Sequence, residues 1–122
     1  LQDIKRLPDS ELEIMMLIWE TNESVSADYI MERINKTWTK TTLLNFLTRL
    51  CKRGFLECSK EGRYNLYTPI VKKEEYLQKE SKSFLKRLYK NSLTGLVASL
   101  YDGNSVSKAD LEELKKYIEE AE

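Results

Sequence analysis

No histidine occurs in the 122 residues. Imidazole metal ligands, Ser-His-Asp triads and imidazole general bases are therefore excluded. Cysteine is nearly absent too. Cys51 and Cys58 stand alone, outside any CxC or CxxC pair, and are too few for a tetrahedral thiolate site. No catalytic residue, metal or cofactor is expected. The two thiols read as reduced and partly buried, with a disulfide redox switch as the alternative. Four glycines and two prolines among 33% charged residues point to a mainly helical chain. No apolar run approaches the length of a membrane span and no signal peptide is visible, so a cytoplasmic protein without membrane insertion is expected. The chain begins at Leu1 rather than Met, so a few preceding residues are expected.

Net charge is absent as well, but only by cancellation. Residues 1–35 carry 3 basic and 8 acidic side chains, and residues 36–63 carry 7 and 2. Residues 64–101 carry 7 and 3, and residues 102–122 carry 3 and 7. A basic middle lies between acidic ends, and that local footprint decides what the chain attracts.

The middle is also where the chemistry concentrates. From Trp38 to Lys52, Leu43, Phe46, Leu47 and Leu50 recur at helical spacing. The other side carries Thr41, Thr42, Asn45, Thr48, Arg49 and Lys52 and no acid. Hydroxyls, an amide and cations are the groups that read base edges in a major groove. Thr39 is the expected N-cap, which turns the positive helix end outward, and Gly54 the expected C-terminal stop. Two short strands, 55–58 and 63–68, are expected around Ser59-Lys60-Glu61-Gly62, with Gly62 suited to the left-handed position of a three-residue hairpin loop and Lys60 and Arg63 at the tip.

Before this stretch, residues 1–8 read as an extended lead-in. A first helix then opens at Pro8, with Asp9 or Ser10 as cap and Leu12, Met15, Met16 and Trp19 as its buried stripe. Thr21 to Ser24 form a turn, and Ser26 caps a second helix whose inner face is Ala27, Ile30, Met31 and Ile34. Trp38 is expected to pack on the core. Helix, turn, polar helix and basic-tipped hairpin is the order of a winged helix-turn-helix. The expected domains are a DNA-binding unit over 1–70 and helices over 71–122.

Those later helices have apolar stripes and little of their own to cover them. One runs from about Lys72 to Lys90, breaks at Asn91-Ser92, and resumes with Leu93, Leu96, Val97 and Leu100. Another follows a Ser107/Asp110 capping box with Leu111, Leu114 and Ile118. Two or three helices in about fifty residues enclose little core. A second copy is the simplest cover, with Leu88, Leu93, Leu96, Val97, Leu100, Leu111, Leu114 and Ile118 at the dimerisation surface.

The chain resembles the penicillinase and methicillin-resistance repressors. The likeness is carried by Glu11 to Met15 with Ile18-Trp19, by the helix from Trp38 to Leu50, by Lys60 to Arg63 running into Tyr67-Thr68-Pro69, and by Lys82 to Leu85 with Arg87 and Tyr89. It extends over nearly the whole chain. The resemblance implies a homodimer of winged helices on a near-palindromic DNA operator, controlling a resistance gene. It also implies release by a protease that cuts in the dimerisation region. Two departures accompany it. Relatives carry Lys and Gln at the positions of Thr41 and Leu44, and their cleaved Asn-Phe pair falls at Ser99-Leu100. The copper-responsive branch ends in a Cys-x-Cys cluster that this chain lacks.

The reading is therefore a mainly α, winged helix-turn-helix repressor with C-terminal dimerisation helices, not an enzyme. Thr41, Thr42, Asn45 and Arg49 face bases, while Lys40, Lys52, Arg53, Lys60 and Arg63 hold phosphates. The alternatives are a small-molecule sensor, with a pocket under Trp38 or among Tyr64, Tyr67 and Tyr76, and a winged helix that binds protein without DNA.

Overall fold

Three helices, a hairpin and three more helices follow one another in the computed structural model, which describes residues 5–121. They are α1 (Asp9–Thr21), α2 (Ala27–Arg33), α3 (Lys40–Lys52), β1 (Leu56–Glu61), β2 (Tyr64–Pro69), α4 (Lys73–Tyr89), α5 (Leu93–Asp102) and α6 (Lys108–Glu120). Part of the lead-in expected over 1–8 lies outside the described residues. Contacts divide the chain into two compact units, with the division inside α4 between Glu80 and Ser81. The 70/71 boundary read from the sequence falls before this point because the start of α4 belongs to the first unit's core. Tyr76 is buried there, its ring centroid 5.7 Å from that of Trp19 and 5.8 Å from that of Phe55. The Leu7 backbone N–H donates to the Tyr76 hydroxyl at 2.9 Å, and the Trp19 indole donates to the Val71 carbonyl at 2.9 Å.

The first unit is a winged helix. Its core joins Ile14, Met15 and Ile18 of α1, Ile30 of α2, Leu43, Leu47 and Leu50 of α3, and Phe55 and Leu56 at the entry to the hairpin, all essentially solvent-free. Each such side chain contributes about 1.5–3 kcal/mol by leaving water. Ser26 caps α2 by accepting from the Tyr29 N–H at 3.1 Å. The stripe of α1 departs from expectation. Ile14 and Ile18 are buried where Leu12 and Met16 are only partly covered. Residues 14–19 are all apolar, so periodicity alone does not choose a face. Neither Asp9 nor Ser10 is the cap. Pro8 holds that position with extended backbone and no side-chain bond, and its carbonyl accepts from Leu12.

The hairpin also differs in detail. β1 and β2 pair antiparallel with Glu61 opposite Tyr64, leaving a two-residue loop of Gly62 and Arg63. Gly62 has φ +63°, the left-handed conformation expected of it. The strands run further toward the tip than the composition of Ser59-Lys60-Glu61 suggested. Val25, ahead of α2, bridges Tyr67 through N–H···O bonds of 3.0 and 2.8 Å, adding a single residue to the hairpin's edge.

The second unit holds the rest of α4 with α5 and α6. Lys90 and Asn91 take positive φ at the break before α5, and Ser92 caps α5 through the Gly95 N–H. The capping box at α6 is present, with Ser107 and Asp110 satisfying each other's backbone N–H. The bond from the Ser107 backbone N–H holds the Asp110 carboxyl below its usual range. Its support for α6 is therefore present above the ordinary carboxylate range and lost as pH falls below it.

Candidate nucleic-acid interface

Helix α3 owes its placement to both ends. The Thr39 hydroxyl accepts from the Thr42 backbone N–H at 3.2 Å and donates to the Thr42 hydroxyl at 3.0 Å. Trp38, half-buried, sets the entry by packing on Phe46 with centroids 5.0 Å apart. At the other end Gly54 turns the chain with φ +82°. Between these ends the buried Leu43, Leu47 and Leu50 fix the roll of the helix. Lys40, Thr41, Leu44, Asn45, Thr48, Arg49 and Lys52 are consequently exposed.

The side chains expected to read bases are not equivalent. Thr41 and Asn45 stand free on the outer face. Thr42 is partly covered and engaged with Thr39. Arg49 lies over the Phe46 ring, its guanidinium carbon 5.4 Å from the centroid. That contact leaves the guanidinium edge available for hydrogen bonds. Thr48 donates its hydroxyl proton to the Leu44 carbonyl at 2.9 Å, within its own helix.

The cations expected to hold phosphates are placed differently from one another. Lys40, at the N-terminus of α3, forms a 2.8 Å ion pair with Asp28, and both side chains remain more than half exposed. Arg63 in the hairpin loop lines the same cleft as Lys40, together with Leu44, Tyr64 and Asn65; the cleft encloses about 180 Å³. Lys60 is exposed on β1 opposite Asn65. Lys52 lies twelve residues along α3 from Lys40, about 18 Å at 1.5 Å per residue, so the two cannot share a phosphate. Arg53 departs from the expectation. Its Nη1 donates to both carboxylate oxygens of Glu11 at 3.2 Å, and Glu11 is completely buried. A buried carboxylate left without its cation is costly, which holds Arg53 on Glu11 although the residue itself stays exposed. Glu11 lies in the first turn of α1, where an acid is favourable to the helix dipole even at the surface, and nothing local in the sequence signals its burial.

The three tyrosines named for a small-molecule pocket do not share one. Tyr64 and Tyr67 line the cleft beside Lys40, whereas Tyr76 belongs to the core. Cys51 is half-buried on α3 and Cys58 exposed on β1, both free. Burial, and then the neighbouring Cys58, push the Cys51 thiol up, so it stays protonated at neutral pH. Among the described residues no group of three or more His, Cys, Asp and Glu is placed to hold a metal, and no helix is long and apolar enough to cross a membrane.

The residues expected at a dimer surface all lie in or near the second unit's helices. Leu93 and Val97 of α5 and Leu111, Leu114 and Ile118 of α6 line one open apolar groove of about 400 Å³. Leu93 is 55% and Ile118 50% exposed. Leu88, on α4, and Leu96 and Leu100, on α5, do not line it; Leu88 is 59% exposed. Ser99 and Leu100 are exposed within α5, where the Ser99 carbonyl accepts from Gly103 and the Leu100 carbonyl from Ser105.

Comparison with known proteins places this arrangement. The model of a family described as "Penicillinase repressor" matches residues 7–120. The penicillinase repressor of Bacillus licheniformis is 33% identical over 122 residues, 98% of this chain and 94% of that protein. The methicillin resistance regulatory protein MecI of Staphylococcus aureus (strain N315) is 30% identical over 114 residues, 92% of each. In structure, the chain is similar to the monomeric form of Bacillus licheniformis BlaI in complex with the blaP half-operator. The TM-score is 0.52 at 32% identity, covering 62% of this chain and 94% of that one.

Proposed function

Because this chain belongs to the penicillinase repressor family, we propose that it is a DNA-binding transcriptional repressor. Thr41, Asn45 and Arg49 read bases, with Thr42 beside them. The observation that carries this reading is the outer face of α3. It is free of acid, capped by Thr39 at its positive end, and flanked by Lys40 and by Arg63 of the hairpin loop. Lys40, Lys52, Lys60 and Arg63 hold phosphates. For Lys40 this means exchanging Asp28 for a phosphate oxygen, which is cheap for an exposed pair. The chain is not an enzyme on this reading and works in the cytoplasm.

The reading continues to a homodimer on a pseudo-palindromic operator, each copy placing one α3 in a major groove. The groove lined by Leu93, Val97, Leu111, Leu114 and Ile118 receives the second copy, and Leu88, Leu96 and Leu100 extend the apolar surface around it. The controlled gene is of the β-lactamase or antibiotic-resistance kind, as the names of the relatives suggest. Cleavage at Ser99-Leu100 by a protease separates α6 from the rest and releases the operator.

Two measurements test the DNA part. Affinity for duplex DNA should fall with salt by about 0.9 log units per log unit for each phosphate neutralised. Lys60→Ala and Arg63→Ala should each lower affinity about equally for operator and random duplex, and a flat salt dependence would sink the reading. Arg49→Ala should cost about 1–3 kcal/mol on the operator and much less on random DNA, since an arginine that forks onto guanine carries sequence preference. Equal losses on both duplexes would make Arg49 a phosphate anchor instead.

A further inference from the structure

We propose that Leu44 recognises the 5-methyl group of one thymine in each half-site, and so sets the preference at that base pair through carbon rather than through a hydrogen bond. This rests on the DNA-binding reading above and adds to it the identity of one base.

Leu44 is the anomaly on the outer face of α3. Leu43, Leu47 and Leu50 are wholly buried, but Leu44 is 36% exposed on the outer face. An isolated exposed leucine is ordinary on a protein surface. Its position makes this one informative. It stands among Lys40, Thr41, Asn45 and Thr48, and it lines the cleft shared by Lys40 at the helix N-terminus and Arg63 of the hairpin loop. A duplex held by those two cations brings base edges to this side of the helix.

Thr48 makes the same side more apolar than its sequence suggests. It lies one turn on from Leu44, and its hydroxyl proton is already given to the Leu44 carbonyl. Leu44 therefore has a neighbour with no free proton to offer a base. Thr41, Asn45 and Arg49 offer donors around the rest of the face, so this edge is the place where the helix presents carbon. In the major groove thymine is the base that carries an apolar group, its 5-methyl. A leucine against that methyl removes both from water. Against a cytosine or adenine amino group, the same leucine leaves a polar edge dry and unpaired.

The test uses the full chain and the duplex it selects from a random-sequence library. Each thymine is replaced in turn by deoxyuridine, which differs only in lacking the methyl, and binding is followed by fluorescence anisotropy. At one thymine per half-site the parent should bind the deoxyuridine duplex about fourfold more weakly, the effect of one buried methyl. Leu44→Ala should bind the thymine and deoxyuridine duplexes alike at that position. It should keep the parent's circular dichroism and its affinity for random DNA. If the parent ignores every thymine-to-deoxyuridine exchange, or Leu44→Ala keeps the same sensitivity, Leu44 does not read a methyl. A parent that binds no duplex would overturn the DNA-binding reading itself, and one that binds every duplex alike would overturn this inference alone.

Discussion

Val97→Asp is expected to sediment as a monomer and to bind the operator at least about a hundredfold more weakly than the parent. Val97 is half-buried in the groove between α5 and α6. In the monomer an aspartate there can still turn toward water. In a dimer that closes the groove, its carboxylate would be sealed among Leu93, Leu111, Leu114 and Ile118, and none of the residues lining the groove is a cation. Burying an unpaired charge costs several kcal/mol, enough to dissociate most subunit contacts. The loss on DNA follows from linkage. Joining two half-site readers makes the second binding event intramolecular, and avidity gains of about 10²–10⁴ disappear when the link is lost. Sedimentation beside an operator titration checks both, and binding to a half-site duplex should be nearly unchanged. A Val97→Asp protein that remains dimeric and binds the operator as before would place the subunit contact elsewhere.

The second large effect concerns stability rather than assembly. Arg53→Ala should lower the unfolding free energy by about 3 kcal/mol, the lower end of the range for breaking a buried ion pair. The lower end applies because Glu11 is wholly buried while the Arg53 side chain is 34% exposed. Against a total of roughly 5–15 kcal/mol this is a large share, and a urea titration would read it directly. Glu11→Gln in the Arg53→Ala background should recover part of the loss, since the stranded charge is then gone. The same variant separates two roles for Arg53. If it only anchors α3 to α1, the folded Arg53→Ala chain keeps the parent's salt dependence on DNA; if it holds a phosphate, the slope shallows by about 0.9.

Features set by a few neighbouring residues were legible in the sequence. Thr39, Ser26 and the Ser107/Asp110 box sit where short-range hydrogen bonding to helix N–H groups puts them. The stripe of α3 was legible because Leu43, Leu47 and Leu50 recur at helical spacing while Thr41, Asn45, Thr48 and Arg49 mark the opposite face. The stripe of α1 was legible only in part: Met15 and Trp19 are buried as expected, but the apolar run from Ile14 to Trp19 offers several faces, and packing against α2, α3 and β2 adds Ile14 and Ile18. The burial of Glu11 depends on Arg53, forty-two residues away. The bridge from Val25 to Tyr67 involves a single residue with no alternation to detect. On the candidate interface, the sequence supplied the residue types but not their commitments. The hydroxyl of Thr48 and the charge of Arg53 are both taken up inside the protein, and Leu44 became informative only when its position beside Arg63 was known.

The candidate scissile bond, Ser99–Leu100, lies within a helix and not in a loop. Proteases take their substrates as extended strands, so the bond can be cut only while the end of α5 is open. Opening breaks the bonds from Gly103 to the Ser99 carbonyl and from Ser105 and Val106 to the Leu100 carbonyl. When reclosing outruns cleavage, the rate of cutting is the equilibrium population of the open helix multiplied by the protease's intrinsic rate, and the speed of opening does not enter. Any partner seated on α5 lowers that population by mass action. Protein concentration would thus act as a brake on degradation. Chains at low concentration would be cut first, and a chain diluted below its dissociation constant would lose its protection and its grip on DNA together.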